Sequence, residues 1–169
     1  MLMCCMPERY SGRTLSTPDP TDAELAAQEA LLVFESFTND DAIAVGLALV
    51  DAARAGQLAI TVDVRRGEQQ VFHAALPGTT ADNDAWVERK VRVVRRFEQS
   101  SFRVGCTLRR LGKSIDEVFL LEGSLYAPHG GAFPITVRNA GVVGVVTVSG
   151  LPQRADHKLV VDVLTRYLA

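Results

Sequence analysis

The segment from residue 126 to residue 157 contains the side chains with the clearest capacity for chemistry, and it reads YAPHGGAFPITVRNAGVVGVVTVSGLPQRADH. A Pro-His-Gly-Gly turn at residues 128–131 leads into an apolar strand. A second strand ends at Ser149-Gly150, before a helix with Asp156-His157 in its first turn. Histidines, paired glycines and a helix start at the ends of rigid elements are typical of a pocket for a small ligand. The segment does not identify that ligand.

His157 is the first candidate for chemistry. Successive residues of a helix turn by about 100°, so His157 shares the core-facing side with Val161, Leu164 and Leu168. An imidazole there could ligate a metal or haem iron, or exchange protons near neutral pH. Its place in the first helical turn, beside Asp156, also favours an anionic ligand. The alternative is a buried histidine held by one hydrogen bond.

His129-Gly130-Gly131 is the second candidate. Paired glycines permit positive φ and a close approach of backbone to ligand. The alternative is a tight turn that leaves His129 exposed. The two histidines lack the spacing of metal ligands and no third ligand is evident, so no metal site is predicted. The remaining histidine, His73, lies in a predicted strand and is interpreted as structural.

Lys90 is the third candidate, because it interrupts the apolar face of a helix predicted from Ala85 to Glu98. The other members of that face are Trp86, Val87, Val91, Val93, Val94 and Phe97. A lysine in this position can extend to the edge of the face and reach solvent. Otherwise its ammonium lies in a pocket, where it binds a carboxylate or has a lowered pKa. Asp82, Asp84 and Asp156 are the possible partners within the protein.

Other motifs give less support to a catalytic role. Cys106 has no adjacent base and is interpreted as a packed thiol. Ser100-Ser101 lacks the strand–turn–helix context of a hydrolase nucleophile. The sequence contains no phosphate loop and no dinucleotide fingerprint.

The elements that must position these residues begin after a predicted flexible leader, residues 1–20. A capping box at Thr21 predicts a helix to about Phe37. A second helix is predicted from Thr38 or Asn39 to Gly56. Its apolar face is taken to contain Ile43, Leu47 and Val50.

The hydrophobic period then changes to that of strands. Residues 58–64 and 69–75 form one predicted hairpin, and residues 133–138 and 142–149 form another. Between them, Asp82-Asn83-Asp84 supplies N-cap oxygens for the long helix. A final helix is predicted over residues 153–168. Since hairpins pair antiparallel, the sequence predicts an α+β fold with an antiparallel sheet between helical layers.

Composition limits the class of protein. The length of 169 residues and a hydrophobic content of 47% fit one domain, residues 21–169, with a sizeable core. The net charge of −2 argues against general binding to nucleic acid. No run is long and apolar enough for a membrane span or a secretory signal. Three cysteines predict no disulfide framework, so a cytoplasmic protein is expected.

Four segments in order, DNDAWVERK, RFEQSSFRVG, YAPHGGAFPI and TVSGLPQRADH, resemble the UPF0303 family. This family is a branch of the haem-degrading, or HbpS/GlcG-like, domain group. The resemblance covers residues 22–168. It implies a profilin-like three-layer α/β/α fold with a five-stranded antiparallel sheet, and assembly into a homo-oligomer. Distant relatives bind haem or iron, but the Glu-x-x-Glu iron motif of one of them is absent here.

The sequence and the resemblance together predict a cytosolic, oligomeric domain with a pocket for a small anionic ligand or haem. The predicted pocket residues are Trp86, Lys90, His129, Gly130, Gly131, Ser149, Gly150, Asp156 and His157. One alternative is an enzyme that uses His157, His129 and Lys90 as acid–base and anion-binding groups. Another is a scaffold or chaperone-like assembly protein without pocket chemistry. No membrane or nucleic-acid partner is expected.

Overall fold

A five-stranded sheet flanked by helices forms the centre of the computed structural model, which describes residues 18–169. In chain order the elements are α1 (Asp22–Leu31), β1 (Val33–Phe34), α2 (Asn39–Ala55), β2 (Thr61–Arg66), β3 (Gln69–Ala75), α3 (Ala81–Phe97), α4 (Ser101–Leu111), α5 (Ile115–Phe119), β4 (Ala132–Val137), β5 (Gly141–Ser149) and α6 (Gln153–Leu168). The predicted α+β class is confirmed. No helix of the described residues is long and apolar enough to cross a membrane.

The sheet has the strand order β1-β4-β5-β2-β3 and is mixed. Both predicted hairpins are present, and β5 pairs antiparallel with β2 in the middle of the sheet. The prediction of a purely antiparallel sheet is wrong, because Val33 and Phe34 of β1 pair parallel with Thr136 and Val137 of β4. The long connection between these two strands makes that parallel pairing possible.

The first helix ends earlier than predicted, at Leu31 rather than near Phe37. Phe34 is buried, and its ring lies 5.0 Å from that of Phe37 and 6.0 Å from that of Tyr167. Burial of these aromatic rings outweighs continuation of the helix. A strand of two residues is too short to produce a recognisable period in the sequence.

Alternating strand residues form two different interfaces with the helices. Val62 and Val64 belong to the core beneath α2 and α6. On the opposite face of the sheet, Ala132 and Val145 pack with the valines of α3. The helix that contains Lys90 therefore lies against the sheet, on the side facing away from α2.

The apolar face predicted for α2 is largely wrong. Ile43 and Leu47 are 41% and 50% exposed, whereas Val45 and Leu49 are fully buried; Val50 is buried as predicted. Small and branched apolar residues surround this helix on most sides, so hydrophobic periodicity does not identify the packed face. Two large apolar side chains are left on the surface as a result.

The start of α3 also differs from its prediction. Thr80, not the 82–84 segment, is the N-cap residue, and its backbone N–H donates to the side chain of Asn83 at 2.9 Å. The helix therefore begins one turn earlier than the predicted Ala85. This extra turn brings Asp82 and Asn83 to the site described below.

The end of the predicted leader lies against the domain. Asp19 accepts hydrogen bonds from Arg109 Nε at 2.6 Å and from Arg154 Nη2 at 3.0 Å. The hydrogen bond from Arg109 lowers the pKa of this carboxyl group below its usual value. The ordered domain therefore includes residues 18–20, and the predicted flexibility of residues 1–17 lies outside the described part of the chain.

Candidate functional site

A cleft of about 270 Å³ lies between the start of α3, the 128–131 turn and the connection from β5 to α6. Its lining consists of Asp82, Asn83, Trp86, Lys90, His129, Gly130, Ser149, Gly150, Leu151, Gln153 and Asp156. Seven of the nine residues predicted for the pocket are in this set. The other two, Gly131 and His157, lie outside the lining.

Lys90 forms the floor of the cleft and is only 3% exposed. Its Nζ donates to the backbone oxygen of Val148 at 3.1 Å and to Asp156 Oδ2 at 2.8 Å. An ammonium group has three N–H donors, so these contacts leave one for a ligand. The lysine is therefore a buried cation with unused hydrogen-bonding capacity beside a cavity.

Asp156 connects the three elements that meet at the floor. Its Oδ2 accepts from Lys90 of α3, and its Oδ1 accepts from the backbone N–H of Leu151 at 3.0 Å. Burial raises the pKa of the Asp156 carboxyl group and lowers that of the Lys90 amine. Both shifts favour the uncharged forms, because a charge in a nonpolar environment loses its hydration.

Two glycines allow the 128–131 turn to approach this ion pair. A Cβ atom on Gly130 would lie 1.9 Å from the backbone oxygen of Gln153 at the start of α6. A Cβ atom on Gly131 would lie 2.6 Å from Lys90 Nζ, and the φ of this residue is +127°. The paired glycines therefore let the backbone of the turn pack closely against neighbouring backbone and against Lys90.

The rim of the cleft is aromatic and positively charged. The Trp86 and His129 rings meet edge to face with centroids 5.3 Å apart, and the Arg89 guanidinium lies 4.2 Å from the Trp86 centroid. Partial burial lowers the pKa of His129, and the charges of Lys90, Arg109 and Arg89 lower it further. His129 is therefore predominantly neutral near pH 7 in a positive electrostatic environment.

Ser101 fixes the turn from behind. Its hydroxyl donates to the backbone oxygen of His129 at 2.5 Å and accepts from the N–H of Ala132 at 3.1 Å. Ser101 is fully buried, and Phe102 beside it packs against Cys106 and Leu25. Ser101 of the Ser100-Ser101 motif therefore holds the 128–131 turn in place through hydrogen bonds to its backbone. The sequence around Ser101 did not predict this structural role.

His157 lies on a different side of α6 from Asp156. Its Nε2 is 2.7 Å from Gln28 Oε1, and its ring lies 4.7 Å from the Phe102 ring and 5.9 Å from the Phe133 ring. Its Nδ1 is buried without a hydrogen-bond partner among the described residues. These contacts place the imidazole between α1 and α6, away from the cleft.

His157 should make the stability of the fold sensitive to acid. Burial lowers its pKa from 6.5 to about 4, so the folded chain binds fewer protons than the unfolded chain between these values. Its contribution to the free energy of unfolding should fall by about 2 kcal/mol from about pH 7.5 to about pH 5. Urea unfolding at both pH values should show that the free energy of unfolding of His157→Gln changes less with pH than that of the wild type. If stability changes equally with pH in the wild type and in His157→Gln, the buried imidazole is not the cause of the acid sensitivity.

Cys106 and His73, which the sequence analysis interpreted as structural, do not line the cleft. Cys106 is fully buried, and burial raises the pKa of its thiol. His73 Nδ1 lies 3.3 Å from the buried carboxylate of Asp63, and its Nε2 lies 3.1 Å from Asp84. Within residues 18–169, no group of three or more histidine, cysteine or acidic side chains could hold a metal ion.

Four lining residues were absent from the predicted pocket: Asp82, Asn83, Leu151 and Gln153. Asp82 accepts from Trp86 Nε1 at 3.2 Å, and Asn83 Nδ2 donates to the backbone oxygen of Ser149 at 3.3 Å. All four residues are close in sequence to a residue that was predicted for the pocket, either Trp86 or Gly150. Asp82 and Asn83 were missed because the sequence analysis assigned them to helix capping.

Comparison with known proteins gives consistent matches over most of the chain. A family model described as haem degrading protein HbpS-like matches residues 37–165. A UPF0303 protein of Streptomyces avermitilis is 54% identical, over 92% of this chain and 95% of the relative. The crystal structure of Ybr137w protein is 30% identical with a TM-score of 0.82, covering 87% of each chain. A PduOC:Heme complex is 14% identical with a TM-score of 0.61, covering 79% of this chain and 94% of the other.

Proposed function

The chain belongs to the HbpS-like haem degrading family, in its UPF0303 branch, and we propose that it is a binding domain that holds a small anionic ligand in the cleft above Lys90. The observation that carries this proposal is the buried ammonium group, with one donor unused, on the floor of the cleft. A charge is costly to bury, and a second anionic partner would offset that cost.

The rim supports the same ligand class. The charge of Asp156 is balanced by Lys90, and Asp82 already accepts from the Trp86 indole. Arg89 adds positive charge beside Trp86, whose ring offers an apolar wall. The volume of about 270 Å³ is slightly below the range for sites that bind drug-sized molecules, roughly 300–1,000 Å³. A ligand the size of a small carboxylate fits these dimensions.

Haem is the second candidate ligand, and the family description favours it. The PduOC:Heme complex shows that a protein with a similar fold can bind haem. In this chain a haem group would exceed the cleft and would have to extend past its open rim. His129, which makes no hydrogen bond through its ring among the described residues, is the available iron ligand there. Haem titration of the wild type should then produce a Soret band that His129→Gln loses.

Self-association is part of the proposed function. Leu31 is 82% exposed and borders an apolar groove of about 670 Å³ between α1 and α6. Exposed Ile43 and Leu47 on α2 add further apolar surface. Patches of this kind favour association between subunits. We place the assembled protein in the cytoplasm, because its three cysteines predict no disulfide framework.

Calorimetry with acetate, succinate and inorganic phosphate tests anion binding at the rim. Arg89→Gln should weaken the binding of a small anion by about two- to fivefold, the effect of about 0.5–1 kcal/mol expected from one partly exposed charge. Arg96→Gln is the matched control, because Arg96 is an exposed arginine about two turns beyond Arg89 on the same helix, farther from Trp86 and the cleft. Equal affinities for both variants and the wild type would argue against the anion site.

The two alternatives predict different results. An enzyme using His129, Lys90 and His157 together has less support, because His157 does not line the cleft. A scaffold without pocket chemistry would bind none of the three anions and no haem. Light scattering on the same samples separates assembly from ligand binding, since a scaffold would still associate.

A further inference from the structure

The floor of the cleft combines a primary amine with a proton donor, an arrangement suited to carbonyl chemistry as well as to ion pairing. We infer that Lys90 captures small 2-oxo acids covalently, through an imine between its Nζ and the carbonyl carbon of the ligand. This inference rests on the proposed function, because the carboxylate of the 2-oxo acid is the anion that the rim would hold.

The first support is the position of the amine. Lys90 Nζ is surrounded by protein on the sides that face Val148 and Asp156, yet the residue lines the cleft. Gly131 has no side chain where a Cβ atom would come within 2.6 Å of Nζ. A side chain there would displace the amine, so the glycine keeps Nζ in place, and the lysine meets a ligand atom on the side that lines the cleft.

The second support is the partner of the amine. Asp156 Oδ2 lies 2.8 Å from Nζ, close enough to exchange a proton with it. Burial lowers the pKa of the lysine and raises that of the aspartate, so both shifts assist transfer of a proton from nitrogen to carboxylate. The resulting neutral amine is a nucleophile, and the carboxylic acid beside it is a general acid.

The proposed step is balanced without an oxidant or a reductant. The lone pair of the neutral amine forms a bond to the carbonyl carbon, and one amine proton moves to the former carbonyl oxygen. Asp156 then protonates the hydroxyl group of this carbinolamine, which leaves as water while nitrogen forms the C=N bond. Overall, an ammonium group and a carbonyl compound give an iminium ion and one water molecule, and Asp156 ends as the carboxylate counter-ion.

The rim would orient such a ligand. A carbonyl carbon at Nζ directs the attached carboxylate away from the floor, towards His129 and the Arg89 guanidinium that stacks on Trp86. Simple aldehydes lack this second point of attachment. We therefore expect glyoxylate to react faster than acetaldehyde, which serves as the uncharged comparison.

Reductive trapping tests the inference in the full chain. The protein is incubated with glyoxylate and sodium cyanoborohydride, and the modified lysines are located by peptide mass spectrometry. The sequence has three lysines, Lys90, Lys113 and Lys158, and the last two are exposed. Lys90 should be modified faster than either of them, because burial lowers the pKa of its amine and leaves more of it in the neutral, nucleophilic form. Prior unfolding in urea should abolish that preference.

Lys90→Arg is the matched variant, because it keeps a cation on the floor but cannot form an imine. Circular dichroism confirms that each variant is folded before labelling. The variant should lose the rapid label, whereas Lys113→Arg and Lys158→Arg should retain it. Labelling of folded protein that is equal at all three lysines, or absent from Lys90, would overturn the inference. If glyoxylate still binds without reductant in that case, the anion site stands and only the covalent step fails.

Discussion

Replacing Lys90 by methionine should lower the free energy of unfolding by about 3–5 kcal/mol, the cost of removing one partner of a buried ion pair. The methionine side chain fills most of the space of the lysine stem. The loss therefore comes from Asp156, whose carboxylate remains buried without its cation, and from the unpaired backbone oxygen of Val148. Urea unfolding at neutral pH measures this change directly.

Two further variants separate the ion pair from general packing. Lys158→Met should change stability by less than about 0.5 kcal/mol, because the Lys158 side chain is 72% exposed. Lys90→Met combined with Asp156→Asn should be more stable than Lys90→Met alone. The amide oxygen of asparagine can still accept from Leu151, and no charge remains buried. A double variant that is as unstable as the sum of the single variants would contradict the coupling.

Gly131→Ala should produce a comparable loss, about 2–6 kcal/mol, and should also disturb the cleft. The φ of +127° is strained for any residue with a Cβ atom, which accounts for roughly 1–3 kcal/mol. The added methyl group would lie 2.3 Å from the backbone oxygen of Val148 and 2.6 Å from Lys90 Nζ, so overpacking adds roughly another 1–3 kcal/mol. Thermal or urea unfolding should detect the combined effect.

Gly112→Ala is the matched control for this prediction. Gly112 also has a positive φ, +62°, but a Cβ atom there meets nothing within 4 Å. Its replacement should therefore cost only the backbone strain, about 1–2 kcal/mol. Equal losses at the two positions would show that contact with Val148 and Lys90 contributes nothing at Gly131.

Local patterns in the sequence identified much of the site. Lys90 stood out because one cation interrupts a face of valines and aromatic residues, and a cation there must find a partner. The paired glycines of the 128–131 turn indicated a close approach of backbone, which the contacts of Gly130 and Gly131 show. Both signals come from residues that are unfavourable unless a specific environment compensates for them.

Tertiary structure decided the remaining features. The choice of Asp156 among three possible partners joins residues 66 positions apart, a distance over which no local pattern acts. Adjacent helical residues point about 100° apart, so Asp156 faces the cleft while His157 faces α1. The sequence predicted both residues for the pocket, whereas only Asp156 lines it. The parallel strand β1 depends similarly on distant packing around Phe34.

Fluorescence of the one tryptophan in the chain tests the central claim most directly, because Trp86 lines the cleft. Titration with succinate or glyoxylate, without reductant, should give a saturable change in Trp86 emission with the same dissociation constant as calorimetry. Arg89→Gln should weaken both signals, and Arg96→Gln should leave them unchanged. Binding heat with no change in Trp86 emission would place the ligand elsewhere, and the absence of both signals for every anion and for haem would contradict a ligand-binding cleft.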